Sequence, residues 1–75
     1  MDKHTFISIW GSFAAFARAI GEGETTLRAW FQRGSIPFRY DDKIILAAAR
    51  QGRGITPTDL HQLRRSLLEA RGAAA

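Results

Sequence analysis

The sequence contains no cysteine, which excludes disulfide bridges and thiolate metal sites as sources of stability. No apolar run in it approaches the roughly 20 residues that a membrane-spanning helix needs. The first residues, MDKHTF, lack the apolar core of a secretory signal peptide. We therefore expect a cytoplasmic protein that has no membrane partner.

Residues that could form a catalytic or metal site are also scarce. The two histidines, His4 and His61, are far apart and lack the close spacing of metal-binding motifs. The serines have no recognisable base, and Gly21 and Gly23 do not follow a strand, so a turn is favoured over a phosphate-binding loop. The sequence therefore predicts no enzyme activity, no metal, no cofactor and no small-molecule substrate.

Acidic residues are in the minority, because the chain has 11 Lys and Arg against 7 Asp and Glu and a formal charge of +4. A small basic domain suits a polyanionic partner, although charge alone does not define a fold. With 75 residues, the chain is expected to form a single domain, residues 1–75. This length is near the lower limit for a core without cross-links.

The first apolar pattern, in residues 2–10, places Phe6, Ile9 and Trp10 on one face of a helix. The β-branched residues in this stretch also permit a strand, but no partner strand follows, so a helix is preferred. A glycine ends this helix, and Ser12 is a suitable N-cap for the next one. The aromatic side chains predict a core built from Phe6, Trp10, Phe13 and Phe16.

Residues 12–34, SFAAFARAIGEGETTLRAWFQRG, predict two short helices joined by a tight turn. Both helices have an apolar face with helical spacing. These faces comprise Phe13, Phe16, Ala17 and Ile20 in the first helix, and Leu27, Trp30 and Phe31 in the second. The connection, Gly21-Glu22-Gly23, is too short for a relaxed antiparallel hairpin, so the sequence predicts a helix-turn-helix.

A fourth helix is predicted to begin at Ser35-Ile36-Pro37 and to end near Gln51-Gly52. Its buried surface is predicted to comprise Ile44, Ile45, Ala47, Ala48 and Ala49. Asp41 and Asp42 lie in its early turns, where a favourable interaction with the helix dipole explains them better than a metal site.

A fifth helix is predicted over residues 56–71, because Thr56 provides a cap hydroxyl and Asp59 an acid three residues later. Its apolar stripe comprises Leu60, Leu63, Leu67 and Leu68. Residues 73–75 are expected to fray. The predicted fold class is therefore all-α, with five helices.

Ala17, Gly21 and Leu27 have the spacing of the small residue, turn glycine and apolar residue in the helix-turn-helix of phage Cro and repressor proteins. Trp30 follows as the core anchor of the second helix and begins the run W-x-x-R-G-x-I-P. Over residues 3–60 the chain resembles this family, and within it a prophage Cro-like group that includes carph-isopro domains. The resemblance implies a compact lambda-repressor-like fold, with the paired helices as its helix-turn-helix core.

The resemblance implies a sequence-specific, double-stranded DNA-binding transcriptional regulator of the repressor type. Its recognition helix, residues 24–33, is expected to enter the major groove. The residues expected to contact bases are Glu24, Thr25, Thr26, Arg28 and Ala29. Arg28 is the leading base reader, because its guanidinium can bond both acceptors of guanine, and a phosphate contact or a solvated position is its alternative. Glu24 has two open interpretations: a cytosine contact, or a favourable charge at the helix start.

Phosphate contacts are expected beside the recognition helix, together with an anion site of free amides at the start of the fourth helix. The residues expected to make them are Ser12, Arg33, Ser35, Arg39, Tyr40 and Lys43. Glu22 and Glu24 depart from the family pattern, because they repel phosphates unless each has a hydrogen-bond donor. Phe13 stands where the family often carries a polar phosphate-binding residue, for which Ser12 can substitute. The residues expected to be solvated are Arg64, Arg65 and Arg71.

The resemblance also implies a homodimer, because such proteins read two half-sites about one helical turn apart. The candidates for the dimer interface are Leu63, Leu67 and Leu68, although this stripe can equally cover an undersized core. The alternative function is a protein-interaction module, of the antitoxin or antirepressor type, that uses the fold without specific DNA binding. Glu22 and Glu24 favour this alternative, whereas the basic residues near the recognition helix favour DNA binding.

Overall fold

The computed structural model describes residues 1–74, and this part of the chain contains five α-helices and no β-strand. The helices are α1 (Lys3–Trp10), α2 (Phe13–Ile20), α3 (Glu24–Arg33), α4 (Asp41–Arg50) and α5 (Pro57–Ala74). The prediction of an all-α chain with five helices is confirmed, including a helix rather than a strand at α1. In the part of the chain that is described, no helix is both long and apolar enough to cross a membrane.

Side-chain caps hold the starts of α1, α2 and α5, and the sequence predicts those at Ser12 and Thr56. The Asp2 carboxylate accepts a hydrogen bond from the Thr5 amide at 2.8 Å, and this bond lowers the pKa of Asp2 below its usual value. Ser12 Oγ accepts from an amide in the first turn of α2 at 3.0 Å. At α5, Thr56 Oγ1 accepts from the Asp59 amide at 3.1 Å, and the Asp59 carboxylate accepts from the Thr56 amide at 3.0 Å.

Glycines in the left-handed conformation end both α2 and α3. Gly21 has a φ of 72°, and the amide of Glu22 donates back to a carbonyl of α2 at 3.0 Å. Gly34 has a φ of 67°, and the amide of Ser35 donates back to the Trp30 carbonyl at 2.9 Å. The two helices are therefore joined by a three-residue connection, residues 21–23, as the sequence predicts.

The start of α4 differs from the prediction. Residues 35–37 are not helical, Phe38–Tyr40 form a 3₁₀ turn, and the α-helix begins only at Asp41. Pro37 has an extended ψ of 132°. This extended path carries Ile36 into the core, where it is 3% exposed. Burial of Ile36 therefore overrides the helix-start signal of the proline.

The helices pack around one hydrophobic core. Its members are Phe6, Trp10, Phe16, Ala17, Ile20, Leu27, Trp30, Phe31, Ile36, Ile44, Ala47, Ala48, Ile55, Leu60, Leu63 and Leu67. The predicted aromatic centre is confirmed for Phe6, Trp10 and Phe16, whose rings contact one another. The Phe6 and Phe16 rings meet edge to face at 5.1 Å, a favourable arrangement for two aromatic rings.

The core-facing stripe of α4 is narrower than predicted. Ile44, Ala47 and Ala48 are buried, as expected from their i, i+3, i+4 spacing. Ile45 is only half-buried, and Ala49 is exposed, because these residues lie farther around the helix. The prediction that Ala49 is buried is therefore wrong.

The leucine stripe of α5 covers the core of its own chain. Leu60, Leu63 and Leu67 are 1%, 0% and 6% exposed, whereas Leu68 is 53% exposed. The prediction that Leu63 and Leu67 form a dimer interface is therefore wrong, because both side chains are already buried within one molecule. Of the three residues proposed for that interface, Leu68 alone is available to a partner.

α5 is longer than predicted, because it continues to Ala74 instead of ending near residue 71. The fraying predicted for residues 73–75 falls partly on Ala75, which lies outside the described residues.

Arg64 is not solvated, contrary to the prediction. Its side chain is only 11% exposed and pairs with Asp41 through both terminal nitrogens, while its Nε donates to the Ile36 carbonyl at 3.0 Å. This pair connects α5 to the first turn of α4, so Asp41 interacts with a cation in addition to the helix dipole. Arg71 is exposed, but its Nη1 donates to the Arg33 carbonyl at 3.0 Å.

Candidate nucleic-acid interface

One face of α3 is free of core contacts and carries the residues that are expected to contact bases. The buried side chains of this helix are Leu27, Trp30 and Phe31. Thr25 and Arg28 are exposed on the opposite face, and Ala29 is half-buried beside them. Glu24 and Thr26 lie at the two margins of this face, given the ~100° rotation between successive residues of a helix. The five predicted residues therefore share one accessible surface.

Gln32 lies at the centre of the same face, although the family resemblance did not point to it. It is exposed, and it follows Thr25 by seven residues and Arg28 by four, which places the three side chains in one row. Its amide can donate and accept, which is the pattern that reads adenine in the major groove. The signal that identifies Gln32 is this spacing, which is visible in the sequence.

Arg28 has two partners in the protein. Its Nη2 donates to Glu24 Oε1 at 2.7 Å, and its Cζ lies 4.9 Å from the centre of the Phe13 ring. The side chain remains 56% exposed. An exposed pair of this spacing contributes only about 0.3–0.5 kcal/mol, and a guanidinium has five N–H donors. Arg28 is therefore oriented by the protein but still free to bond a ligand.

The two carboxylates at the start of α3 each have a hydrogen-bond donor. Glu24 accepts from Arg28, and Glu22 accepts from the Tyr40 hydroxyl at 2.7 Å in a partly buried position. The repulsion of phosphates that the sequence predicts for unpaired carboxylates is therefore reduced. Glu24 also orients Arg28, which adds a third role to the two that the sequence leaves open, a cytosine contact and a favourable charge at the helix start.

Two cationic side chains lie near the ring of Phe13 at the edge of the core. Its ring is half-buried and packs edge to face on Phe31, with the centres 5.0 Å apart. The ammonium of Lys3 lies 5.5 Å from the ring centre, and the guanidinium of Arg28 lies 4.9 Å from it. Lys3 and Gln32 also line a small cleft beside this ring. Lys3 was not predicted, because only the packing of α1 against α2 brings it here.

Ser12 is exposed at the start of α2. Its Oγ accepts a hydrogen bond from the Ala15 amide at 3.0 Å. This bond uses a lone pair and leaves the hydroxyl hydrogen free to donate to an anion. The cap therefore does not compete with the phosphate contact predicted for Ser12.

A second group of basic residues surrounds Tyr40. The Tyr40 ring packs on Trp30 at 4.7 Å, which fixes it against α3. Arg39 and Lys43 are exposed, and their charged groups lie 5.2 Å and 5.9 Å from the Tyr40 ring centre. The ring thus positions two of the predicted phosphate-binding residues beside α3, and Arg33 is exposed at the end of that helix.

The role expected of Tyr40 itself changes, because its hydroxyl hydrogen is donated to Glu22. Tyr40 therefore positions cations instead of offering a free donor to phosphate. The predicted anion site of free amides does not include the Ser35 amide, because no helix begins at Ser35 and this amide donates to the Trp30 carbonyl. The Ser35 side chain remains exposed.

Residues 1–74 contain no group of three or more His, Asp or Glu side chains arranged to hold a metal ion. The available groups are cations, hydroxyls and amides arranged around α3, a combination suited to binding a polyanion. No protein-family model, no curated protein and no solved structure matches this chain.

Proposed function

We propose that this protein is a sequence-specific, double-stranded DNA-binding transcriptional regulator, similar to Cro-like prophage repressors. The proposal treats α2 and α3 as a helix-turn-helix in a lambda-repressor-like fold, with α3 as the recognition helix. The observation that carries it is the row of exposed polar side chains on α3, Thr25, Arg28 and Gln32, opposite the residues that anchor this helix in the core.

In this proposal, base readout belongs to that row. Arg28 leaves Glu24 and forms two bonds to guanine, a contact worth about 1–3 kcal/mol of discrimination. Gln32 lies one turn farther along α3 and reads an adenine in the same groove. Thr25 lies one turn before Arg28 and contacts a thymine methyl or a phosphate. Ala29 is small enough to allow the helix to approach the base pairs.

Phosphate binding in this proposal uses the groups on either side of α3. Arg39 and Lys43 are held beside the helix by Tyr40, and Ser12 offers a hydroxyl at the start of α2. Arg33 and the Ser35 hydroxyl complete the set at the end of α3. Such contacts set the position of a protein on the duplex, while contacts to base edges provide specificity.

A homodimer remains part of the proposal, because one small domain makes too few base contacts to find a site in a genome. The burial of Leu63 and Leu67 means that such a dimer uses another surface.

Selection from a pool of random duplexes tests the proposal directly. The wild-type protein is expected to enrich one sequence, and binding to that duplex and to a scrambled one is then measured at matched salt. Arg28→Ala is expected to lose about 1–3 kcal/mol on the selected duplex and much less on the scrambled one. Arg65→Ala is the matched control, because Arg65 is exposed on α5 and this substitution also removes one positive charge.

A pool that shows no enrichment after repeated rounds contradicts sequence-specific binding. If Arg28→Ala loses the same affinity for both duplexes, the proposal of DNA binding stands, but Arg28 is assigned to a phosphate contact. If the protein binds neither duplex, the alternative of a protein-interaction module is favoured. Glu22 and Glu24 each have a hydrogen-bond donor, which weakens the support that they gave to the alternative, but the exposed apolar side chains of Phe38 and Leu68 favour it.

A further inference from the structure

A groove with apolar walls lies on the side of α5 that faces the 3₁₀ turn. We call it the Phe38–Leu68 groove, and it has a volume of about 280 Å³. Its lining includes Gly34, Phe38, Arg64, Arg65 and Leu68, together with Ser35, a proposed phosphate contact. None of these residues belongs to the exposed face of α3 that is proposed to read bases.

Two large apolar side chains in this groove are exposed to solvent. Phe38 is 77% exposed and Leu68 is 53% exposed. Single exposed apolar residues are common on protein surfaces, but here two of them line one concave surface. Each can bury apolar area only against another molecule, which favours a docking role for the groove.

Each wall of the groove has a contact within the protein. The guanidinium of Arg64 lies 4.3 Å from the centre of the Phe38 ring, and Arg64 is itself held by Asp41. On the other wall, Leu68 lies against Gly34, where an added Cβ would lie 3.1 Å from Leu68 Cδ2.

The charged side chains that line the groove are positive. Arg64 and Arg65 contribute to its lining, and no carboxylate does. Arg71 extends this row, since it bonds the carbonyl of Arg33 immediately before Gly34. Arg64 is neutralised by Asp41, but Arg65 has only an exposed partner, Glu69, at 3.9 Å. A partner that carries carboxylates therefore complements the groove in charge as well as in shape.

We propose that the Phe38–Leu68 groove binds an acidic amphipathic segment of another protein, with two apolar side chains in the groove and carboxylates facing Arg65 and Arg71. A second copy of this chain fits less well. In a symmetric pair that meets at Leu68, equivalent surfaces face each other, which brings Arg65 and Arg71 of the two copies together. A DNA duplex presents phosphates and base edges at its surface, so it covers little of the apolar area of Phe38 and Leu68. This inference goes beyond the proposed DNA binding and does not depend on it.

A random-peptide library displayed on phage tests the proposal. The wild-type protein is panned in parallel with Leu68→Lys, which places a charge in the groove but is tolerated at an exposed helix position. The matched control is Leu46→Lys, because Leu46 is 54% exposed and lies on α4 outside the groove. Thermal melts followed by circular dichroism establish that both variants are folded.

The peptides enriched on the wild type are expected to carry two apolar residues and several carboxylates. They should bind Leu46→Lys as tightly as the wild type and Leu68→Lys at least about tenfold more weakly, since the variant loses a buried leucine contact. Enrichment of peptides without carboxylates, equal binding to all three proteins, or no enrichment overturns the proposal.

Sedimentation of the protein without peptide tests the remaining candidate occupant of the groove, a second copy of the chain. A wild-type dimer that Leu68→Lys converts to a monomer assigns the groove to a second copy of the chain and overturns the proposal. Binding of the selected DNA duplex is measured on the same variants and should not weaken. A failure of the groove proposal is therefore distinguishable from a failure of the proposed DNA binding.

Discussion

Tyr40 contacts several groups of the proposed phosphate-binding surface beside α3. Its ring packs on Trp30, its hydroxyl donates to Glu22, and its ring face lies near the cations of Arg39 and Lys43. An acidic residue close to the proposed phosphate-binding surface is thereby given a donor, while two basic residues are kept beside α3. The electrostatics of this surface are decided by that contact as well as by formal charge.

Removing the Tyr40 hydroxyl tests this role. We expect Tyr40→Phe to reduce the free energy of unfolding by about 1 kcal/mol, because a partly buried hydrogen bond is lost. It should also weaken binding to a duplex, because the Glu22 carboxylate loses its donor. The measurements are a urea denaturation curve and a duplex titration. The double variant Tyr40→Phe/Glu22→Gln should regain duplex affinity, and failure to regain it argues against an electrostatic effect of Glu22.

Gln32 gives a second prediction at the scale of a residue. If α3 enters the major groove, Gln32→Ala should cost about 1–3 kcal/mol on the selected duplex and relax the preference for one base pair. Gln51→Ala is the control, because Gln51 is exposed at the end of α4 and offers the same chemistry elsewhere. Equal affinity of Gln32→Ala and the wild type for the selected duplex means that the centre of this face does not contact bases.

At the scale of elements, α5 serves both the interior and the surface. Its buried leucines complete the core, and Arg64 connects it to α4 through Asp41. Leu68, the residue that follows the last buried leucine of the stripe, is exposed in the groove. The rotation of ~100° per residue separates these roles between neighbouring positions.

Substitutions of Leu67 and Leu68 should therefore have very different effects on the free energy of unfolding. We expect Leu67→Ala to reduce the free energy of unfolding by about 2–5 kcal/mol, because it leaves a cavity in the core. Leu68→Ala should change it much less, because the side chain is half exposed. Thermal denaturation of both variants measures the difference. Similar losses for the two variants contradict the placement of Leu67 inside and Leu68 outside.

At the scale of the whole molecule, charge is distributed unevenly over a small helical body. The principal-axis extents are 37, 25 and 22 Å, and each exceeds the Debye length of about 8–10 Å at ordinary salt. Exposed charges at opposite ends of the molecule are therefore largely screened from each other. The cations beside α3 and those around the Phe38–Leu68 groove are nevertheless neighbours at the end of α3, where Arg71 bonds the Arg33 carbonyl.

The salt dependence of duplex binding follows from this arrangement. Contacts to phosphate by Arg33, Arg39 and Lys43 predict a slope of about −3 per bound domain when log affinity is plotted against log salt concentration. Arg39→Ala should reduce the slope by about one unit and weaken selected and scrambled duplexes alike. Arg65→Ala should leave the slope unchanged. A slope near zero for the wild type, with binding retained, rules out the phosphate contacts.

The sequence by itself determined the helices and most of their interior faces. Helical spacing predicted the anchors Leu27 and Trp30, and cap residues such as Ser12 and Thr56 predicted where helices start. These features are local, because a cap or an apolar stripe depends on residues within one or two turns. The exposed face of α3 is also set by local spacing. Gln32 can therefore be placed on it from its separation of seven residues from Thr25 and four from Arg28.

Only the tertiary structure decided features that depend on distant residues. The path of the chain before α4 follows from the burial of Ile36 against other helices, and Arg64 is removed from solvent by Asp41, 23 residues away in sequence. The division between Leu67 in the core and Leu68 in the groove likewise depends on how α5 packs against α3. Spacing identifies the face of a helix, but burial depends on what packs against that face, and this is set by the whole chain.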